Sequence, residues 1–584
     1  MRLRLLAFAL VACVAANAQS SKPTLAITHV NVITMENDRL LHDQTVFLTG
    51  DRITRIVPAR SAHIPDGTRS ISGLGKFLIP GLTDAHVHLE STVEFNLYLA
   101  NGITTVFNLE GRPSHLLWRK QVAAGELLGP TIFTTGPIFI RSRTPEQDVA
   151  LVDEQAAAGY DAVKIYNFLT TKEYPALIAE AKRKNMLIMG HIARQPGFEM
   201  TINSGQSIAH LEEIPYTAFN PQNDDNNSHI VFDYAKIPTI THQLKASGVS
   251  LIATLDNFRT IVQQGTDLDT FLKNPELKYD SPWTLSNLQP ATNRYLNSFP
   301  KSYYPTLHKL LDLQRALLKS FSDAGVPILA GTDSTSVGPV AGFGLHHELQ
   351  EFVRDGLTPY QALQTATVNT ASYLRSSSEF GTITPGKRAD LILLNGNPLL
   401  DIAQTQNIAA VVVRGRLLDK PELASMLAAL PGLYAEVVTA AEAALRTDPA
   451  RAIRDLQQTD PVNQLTPYAI AQIATTDGPD GLIRILTTIR TADPASTFVS
   501  EAGINTLGYA MLARKLFPQA IAVLAFNTQN FPQSANAWDS LAEAHFTAGD
   551  VPTAVQTYQH ALDVNPTYPN AAAAKKFIAD HPQK

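Results

Sequence analysis

His86 and His88 stand two residues apart at the end of the apolar run Pro80-Gly81-Leu82-Thr83-Asp84-Ala85. On a strand, residues i and i+2 share a face, so both imidazoles can aim at one point. Imidazole is a common zinc ligand, and a catalytic zinc needs several converging side chains plus an open position. A lone His-x-His suits a surface or core-edge pair equally well. Four further side chains decide the matter. Lys164 lies inside Ala162-Val163-Lys164-Ile165-Tyr166. His191 follows Met186-Leu187-Ile188-Met189-Gly190, and His210 follows Ser207-Ile208-Ala209. Asp333 ends Val326-Pro327-Ile328-Leu329-Ala330-Gly331-Thr332. Singly, each has a bland role: a snorkelling lysine, two core histidines, a helix-capping aspartate. But Lys164 is flanked by Val163 and Ile165 and should point inward, where an unpaired ammonium is costly. Six such residues near the same end of five strands point to one shared site.

The elements that must carry them alternate along residues 79–380. Eight apolar, β-rich runs, the first holding His86 and the last ending at Asp333, are separated by helical patterns. That alternation indicates a parallel sheet, and eight is the (β/α)8 barrel number, with the active site at the C-terminal strand ends. Gly102, Gly129, Gly159, Gly205, Gly248 and Gly325 precede six of the runs and fit left-handed residues closing the preceding helices. Pro327 inside the last run argues mildly against a strand there. Residues 256–304 are too long for a loop and read as an insertion over the barrel mouth, of the kind that forms lids. The β-rich flanks, 24–78 and 381–420, should combine into one small β-sandwich domain. From 425 to 584 the chain is Ala- and Leu-rich and helical. Leu507, Ala520 and Pro532 recur 34 residues later as Leu541, Ala554 and Pro566, and with Trp538, Tyr558 and Ala561 they sit at tetratricopeptide spacings.

Composition narrows the function. The formal net charge of −6 supplies no basic footprint for nucleic acid. Arg2 and Arg4, the apolar stretch Leu5–Val14 and Ala16-Asn17-Ala18 read as a signal peptide over 1–18, so export to the periplasm or medium is expected. Leu10-Val11-Ala12-Cys13 also resembles a lipobox, which would leave a lipoprotein anchored through Cys13; cleavage after Ala18 is favoured. Cys13 is the only cysteine, so the cleaved chain has no disulfide, cysteine nucleophile or thiolate metal site. No later segment reads as long and apolar enough to span a membrane.

In combination, PGLTDAHVH (80–88), GYDAVKIY (159–166), GHIAR (190–194), IAHLEE (208–213) and GTD (331–333) resemble the amidohydrolase superfamily. The type is binuclear with a carboxylated lysine, and the branch is imidazolonepropionase-like and prolidase-like. HHELQEFVRDGLTPYQALQTATVNTA (346–371) and GTITPGKRADLILLNGNPL (381–399) extend the resemblance, which covers 24 to about 420. The chain departs from the pattern at Phe107-Asn108 and at Gly136-Pro137-Ile138-Phe139-Ile140-Arg141, in loops that face substrate. The resemblance implies that His86, His88 and Asp333 hold one divalent ion, His191 and His210 a second, both zinc by preference, with Lys164 carboxylated by CO2 as the bridge. It implies a bridging water that attacks an amide or ester carbonyl, with Asp333 as general acid–base.

Glu90, Tyr166 and Glu212 lie two residues beyond ligands and face the same way, nearer the mouth. Tyr166 is the candidate donor to the oxyanion. Glu212, Arg141, Arg143 and Arg194 are candidates for substrate binding, the arginines for a carboxylate; solvated loop arginines are the competing reading. The expected activity is cleavage of an amide C–N bond, in a dipeptide or N-acyl amino acid. The alternative is a metal-free barrel that binds a protein partner, or itself, through the helical repeats. The complete ligand set favours the hydrolase, because a binding scaffold has no use for inward-facing His, Lys and Asp.

Overall fold

Gly81 and Gly102 bracket the first βα unit, and from there a (β/α)8 barrel follows the expected alternation. The computed structural model describes residues 22–139, 143–222, 229–334, 338–459 and 465–582. The barrel strands are β1 (Leu82–Val87), β2 (Ile103–Asn108), β3 (Thr131–Thr134), β4 (Ala162–Ile165), β5 (Leu187–Gly190), β6 (Ser207–Ala209), β7 (Leu251–Ile252) and β8 (Ile328–Leu329). Strands β1–β3 and β4–β8 form two parallel ladders. Bridges Thr135↔Ala162 and Val87↔Ser334 join the ladders and close the barrel. Ala162, Met189, Ala209, Ile252 and Leu329 fill its interior with fully buried side chains. Pro327 is tolerated because it precedes β8 and contributes only its carbonyl, which accepts from the Leu251 amide at 3.0 Å.

Five of the six glycines noted above do have positive φ. Gly129 does not; the left-handed cap of helix Pro113–Ala124 is Gly125, at φ 76°. Gly129 is needed for a different reason, since a Cβ there would come within 2.4 Å of the Phe95 ring.

The flanks meet, as expected, in one β-domain, whose strands form a single eight-stranded sheet. Its order is 416–419, 408–413, 391–394, 77–80, 25–33, 40–49, 52–58, with 69–72 also paired to 25–33. Register shifts between Ile27 and Val30 and between Val30 and Val32, with His29 at φ 52°, bend the strand Leu25–Ile33. Bulges of this kind bend a strand and increase its twist, and here the bent sheet packs around Ile27, Val46, Leu78, Leu391 and Val412.

The last flank strand runs into helix Lys420–Thr447, capped by Asp419, whose Oδ1 accepts from the Glu422 amide at 3.0 Å. This helix packs along the barrel helix Glu94–Ala100. It is also long and apolar enough, by length and composition, to cross a membrane, with a mean hydropathy of 1.5. That corrects the sequence expectation. Among its larger side chains Leu423, Leu430 and Tyr434 are buried. Beyond it the helices Glu501–Ala513 and Phe517–Asn530 are followed at a spacing of 34 by Ala535–Thr547 and Val551–Val564. Ala520 and Ala554 are fully buried where paired helices approach.

Residues 256–304 fold as short helices with a small core of Leu268, Phe271, Leu277 and Leu288. Trp283, fully buried, donates from Nε1 to Glu90 beyond β1 and meets Tyr434 edge-on at 5.4 Å. Arg514 reaches Ser286 at 3.2 Å. The insertion therefore lies between the barrel mouth and the C-terminal helices, touching both.

Candidate metal centre

The strand ends bring the predicted ligands together. The donor atoms of His86, His210 and Asp333 all lie within 4.8 Å of one another, and the three residues are buried. Asp333 Oδ1 is 3.1 Å from His86 Nε2 and 2.9 Å from His88 Nε2. Lys164 Nζ is 3.5 Å from His86 Nε2. The rings of His210 and His191 are 4.6 Å apart, as are those of His86 and His210. His210 and Asp333 adopt left-handed φ values, 74° and 58°. Strained backbone of this sort persists where surrounding structure enforces it, and it gathers at functional sites.

Each outer imidazole is oriented by a second residue. His88 Nδ1 faces Glu110 Oε2 at 3.2 Å, His191 Nδ1 faces Glu213 Oε1 at 2.7 Å, and His210 Nδ1 faces Thr254 Oγ1 at 2.9 Å. With Nδ1 so engaged, Nε2 is presented to the centre, the usual second-layer support of a metal-binding histidine. His86 turns Nε2 to the same point, between Asp333 Oδ1 and Lys164 Nζ, and its Nδ1 is buried without a hydrogen-bond partner. Asp84 Oδ2 accepts from Thr332 Oγ1 at 2.7 Å, and its Oδ1 from the amides of His86 and Thr332, which locks β1 to the end of β8.

The electrostatics follow from burial. Burial lowers the Lys164 ammonium to about 8, against the pull of Asp333 and Glu110. Burial alone would raise Asp333, but the imidazoles of His86 and His210 hold it well below the usual carboxylate range. Burial pushes His210 far down, so this ring is a neutral nitrogen donor. Burial pulls His88 down, but Asp333 and Glu110 outweigh it and raise this imidazole to about 9, so it must give up a proton to take a metal. With the imidazoles of His86, His191 and His210, all lowered by burial, one carboxylate and one deprotonatable amine, the set fits a divalent metal ion.

Tyr166 stands where expected, its ring 4.2 Å from that of His191. Glu212 is there too, with Oε2 buried and unpartnered and its carboxyl pushed well up by burial. Arg194 is not available for substrate. It donates to Glu213 Oε2 at 2.8 Å and lies over the Tyr216 ring. Arg143 sits 3.7 Å from Asp148. Arg141 lies outside the described residues, as do Cys13 and the whole of 1–18. Sequence reasoning missed Glu110, Glu213 and Asn257, whose Nδ2 donates to Asp333 Oδ2 at 2.9 Å. Glu110 and Glu213 each follow a strand end by two to four residues, and that position was the available signal.

Comparison with known proteins agrees with this geometry. The model of the amidohydrolase family matches residues 77–418. Adenine deaminase 3 of Rhizobium meliloti (strain 1021) is 22% identical over 419 residues, 69% of this chain and 59% of that protein. The adenine deaminase of Paracoccus denitrificans (strain Pd 1222) is 25% identical, over 77% of this chain and 67% of that protein. The chain thus spans about six-tenths of the length of the first of these relatives. Among solved structures, a Xaa-Pro dipeptidase with bound methionine in the active site superposes with a TM-score of 0.52 at 19% identity, over 68% of this chain and 99% of that one. Bottromycin amidohydrolase superposes at 0.57 and 20% identity, over 69% and 90%. At these identities the structural likeness establishes the fold.

Proposed function

The chain belongs to the amidohydrolase family, and from that premise we propose that it is a metal-dependent hydrolase that cleaves an amide C–N bond in a dipeptide or N-acyl amino acid. The carrying observation is the convergence of His86, His210 and Asp333 within 4.8 Å, with the Lys164 amine 3.5 Å from His86. In this reading His86, His88 and Asp333 would hold one divalent ion and His191 and His210 another, with Lys164, carboxylated, as the residue shared by both. Zinc is the preferred metal for so many imidazoles. Ions so held acidify a water and polarise a carbonyl.

The protein's own residues do the rest. Asn257 holds Asp333 Oδ2, which turns Oδ1 to the centre beside His86 and His88 Nε2; from there the carboxylate would take the proton of the attacking water and return it to the leaving amine. Tyr166, beside His191, is placed to donate to the oxyanion. Glu212 is the candidate partner for a substrate ammonium. The insertion is tied to Glu90 beyond β1 through Trp283. Export is part of the proposal and is supported by Arg2, Arg4 and the Ala16-Asn17-Ala18 site.

The test is direct. Purified protein is analysed for metal and assayed against dipeptides and N-acyl amino acids, with adenine in the panel because relatives are named for it. About two divalent ions per chain and turnover of an amide are expected. Protein without metal, and without activity after zinc is added, would overturn the reading.

A further inference from the structure

The insertion carries a cation to the mouth that the strand-end pattern does not contain. Helix Arg294–Ser298 begins at Asn293, whose Oδ1 accepts from the amides of Tyr295 and Leu296 at 3.0 Å. Asn293 Nδ2 donates to Gln264 Oε1 at 2.9 Å, and both residues are fully buried. Gln264 belongs to helix Leu255–Thr266, the helix whose Asn257 holds Asp333. Arg294 is therefore fixed to the catalytic acid through two buried polar contacts on one helix.

Arg294 is an exposed residue. It donates to Tyr295 Oη and lies over the Tyr295 ring, 4.6 Å from the centroid. That ring stacks on Phe299 at 6.5 Å, and Phe299 stacks on Tyr303 at 5.6 Å. The ladder stiffens the helix, so the cation is held in place without a carboxylate. Among the described residues Arg294 forms no ion pair, whereas Arg194 is taken by Glu213 and Arg143 by Asp148. Asp333 and Tyr166 are both within electrostatic reach of it. An oriented guanidinium beside a hydrolytic centre matches a carboxylate, which its planar fork binds through two parallel bonds. Next to Tyr166, Phe168 is 54% exposed and offers an apolar face.

We propose that Arg294, positioned by the Tyr295–Phe299–Tyr303 ladder, receives the free carboxylate of the substrate and so makes the centre specific for amides of amino acids with an apolar side chain. This rests on the amide-hydrolase reading of the same centre. The specificity is then encoded in the insertion and not in the barrel.

The test uses the metal-loaded full chain, wild type and Arg294→Gln, with two probes that resist hydrolysis: N-methanesulfonyl-leucine and its carboxamide. Binding is measured by calorimetry, with metal content and melting temperature as controls. Wild type should bind the acid at least about tenfold more tightly than the carboxamide, the usual scale for a charge-assisted hydrogen bond. Arg294→Gln should lose that factor for the acid alone, with carboxamide binding and metal unchanged. On a turned-over substrate the loss should appear in KM and not kcat. Equal binding of the two probes by wild type, or a preference that survives in Arg294→Gln, would overturn the proposal. Should wild type keep the preference but hydrolyse no amide, the hydrolase reading fails and Arg294 remains a carboxylate receptor.

Discussion

Asn257 Nδ2 stands 2.9 Å from Asp333 Oδ2, so the acid beyond β8 is oriented by the helix that follows β7. That helix is itself pinned. Thr254 takes φ 48° just before it, and Glu348, buried, accepts from the amides of Leu255 at 3.0 Å and Asp256 at 2.7 Å. Burial pushes the Glu348 carboxyl well up, and its bonds from these two helix amides offset part of that. Asn257→Ala should leave most of the metal in place and lower kcat by about 10–100-fold, the usual cost of an outer partner. KM should change little. Steady-state kinetics with metal analysis checks this, and a wild-type kcat would remove Asn257 from the positioning of Asp333.

Lys164 offers a sharper test of the bridge. It is 1% exposed among imidazoles, with no carboxylate in salt-bridge range among the described residues. An ammonium in that position is poorly compensated, while a carbamate would offer two oxygens and a negative charge to a metal ion. Lys164→Ala should lose metal and activity, and acetate or formate should restore part of both. Retention of wild-type metal and rate would show that Lys164 is not the bridge.

The convergence was legible because strands have a period of two and barrel sites form at strand ends: that rule put His86, Lys164, His191, His210 and Asp333 at one end, and the structure brings donor atoms of His86, His210 and Asp333 within 4.8 Å of one another. Asn257, Trp283 and Arg294 could not be placed by it, because they sit on short helices of an insertion with no alternation to fix their direction. Arg194 illustrates a different limit. Its position three residues after His191 suggested a substrate role, yet Glu213 claims it, and a sequence does not say which of two acids a cation will meet. The flanks were correctly read as β-structure, but bulges near His29 decided how the strands pair, and a bulge has little sequence signature beyond an unusual φ.

Asp333 separates proton transfer from metal binding. Asp333→Asn keeps the size and the contact with Asn257 but removes the base. The rate should fall by about 10²–10⁴-fold while the fold and most of the metal remain. Were Asp333 only a helix cap, the variant would lose about 1 kcal/mol of stability and keep its rate. Measuring kcat, metal content and melting temperature on one preparation distinguishes the two.

His346 predicts part of the acid limit of stability. It is fully buried, with Nε2 3.0 Å from the Asn101 carbonyl and Nδ1 3.0 Å from Thr405 Oγ1, joining the barrel to the flank segment Ile402–Gln406. Burial, and then the charge of His347, push it down to about 3 from an ordinary 6.5. The folded value lies below the unfolded one, so as pH falls the unfolded chain takes up this proton first. The stabilisation is complete above about 6.5 and is lost progressively as pH falls towards 3, at roughly 1.4 kcal/mol per pH unit inside that window. His346→Gln keeps a donor for Asn101 and cannot take up the proton. Urea unfolding at matched metal load, from pH 7 down to 4, should therefore show a shallower fall in stability for the variant by about that amount per unit. Parallel slopes for the two proteins would mean that other buried groups set the acid limit and that His346 does not contribute to it.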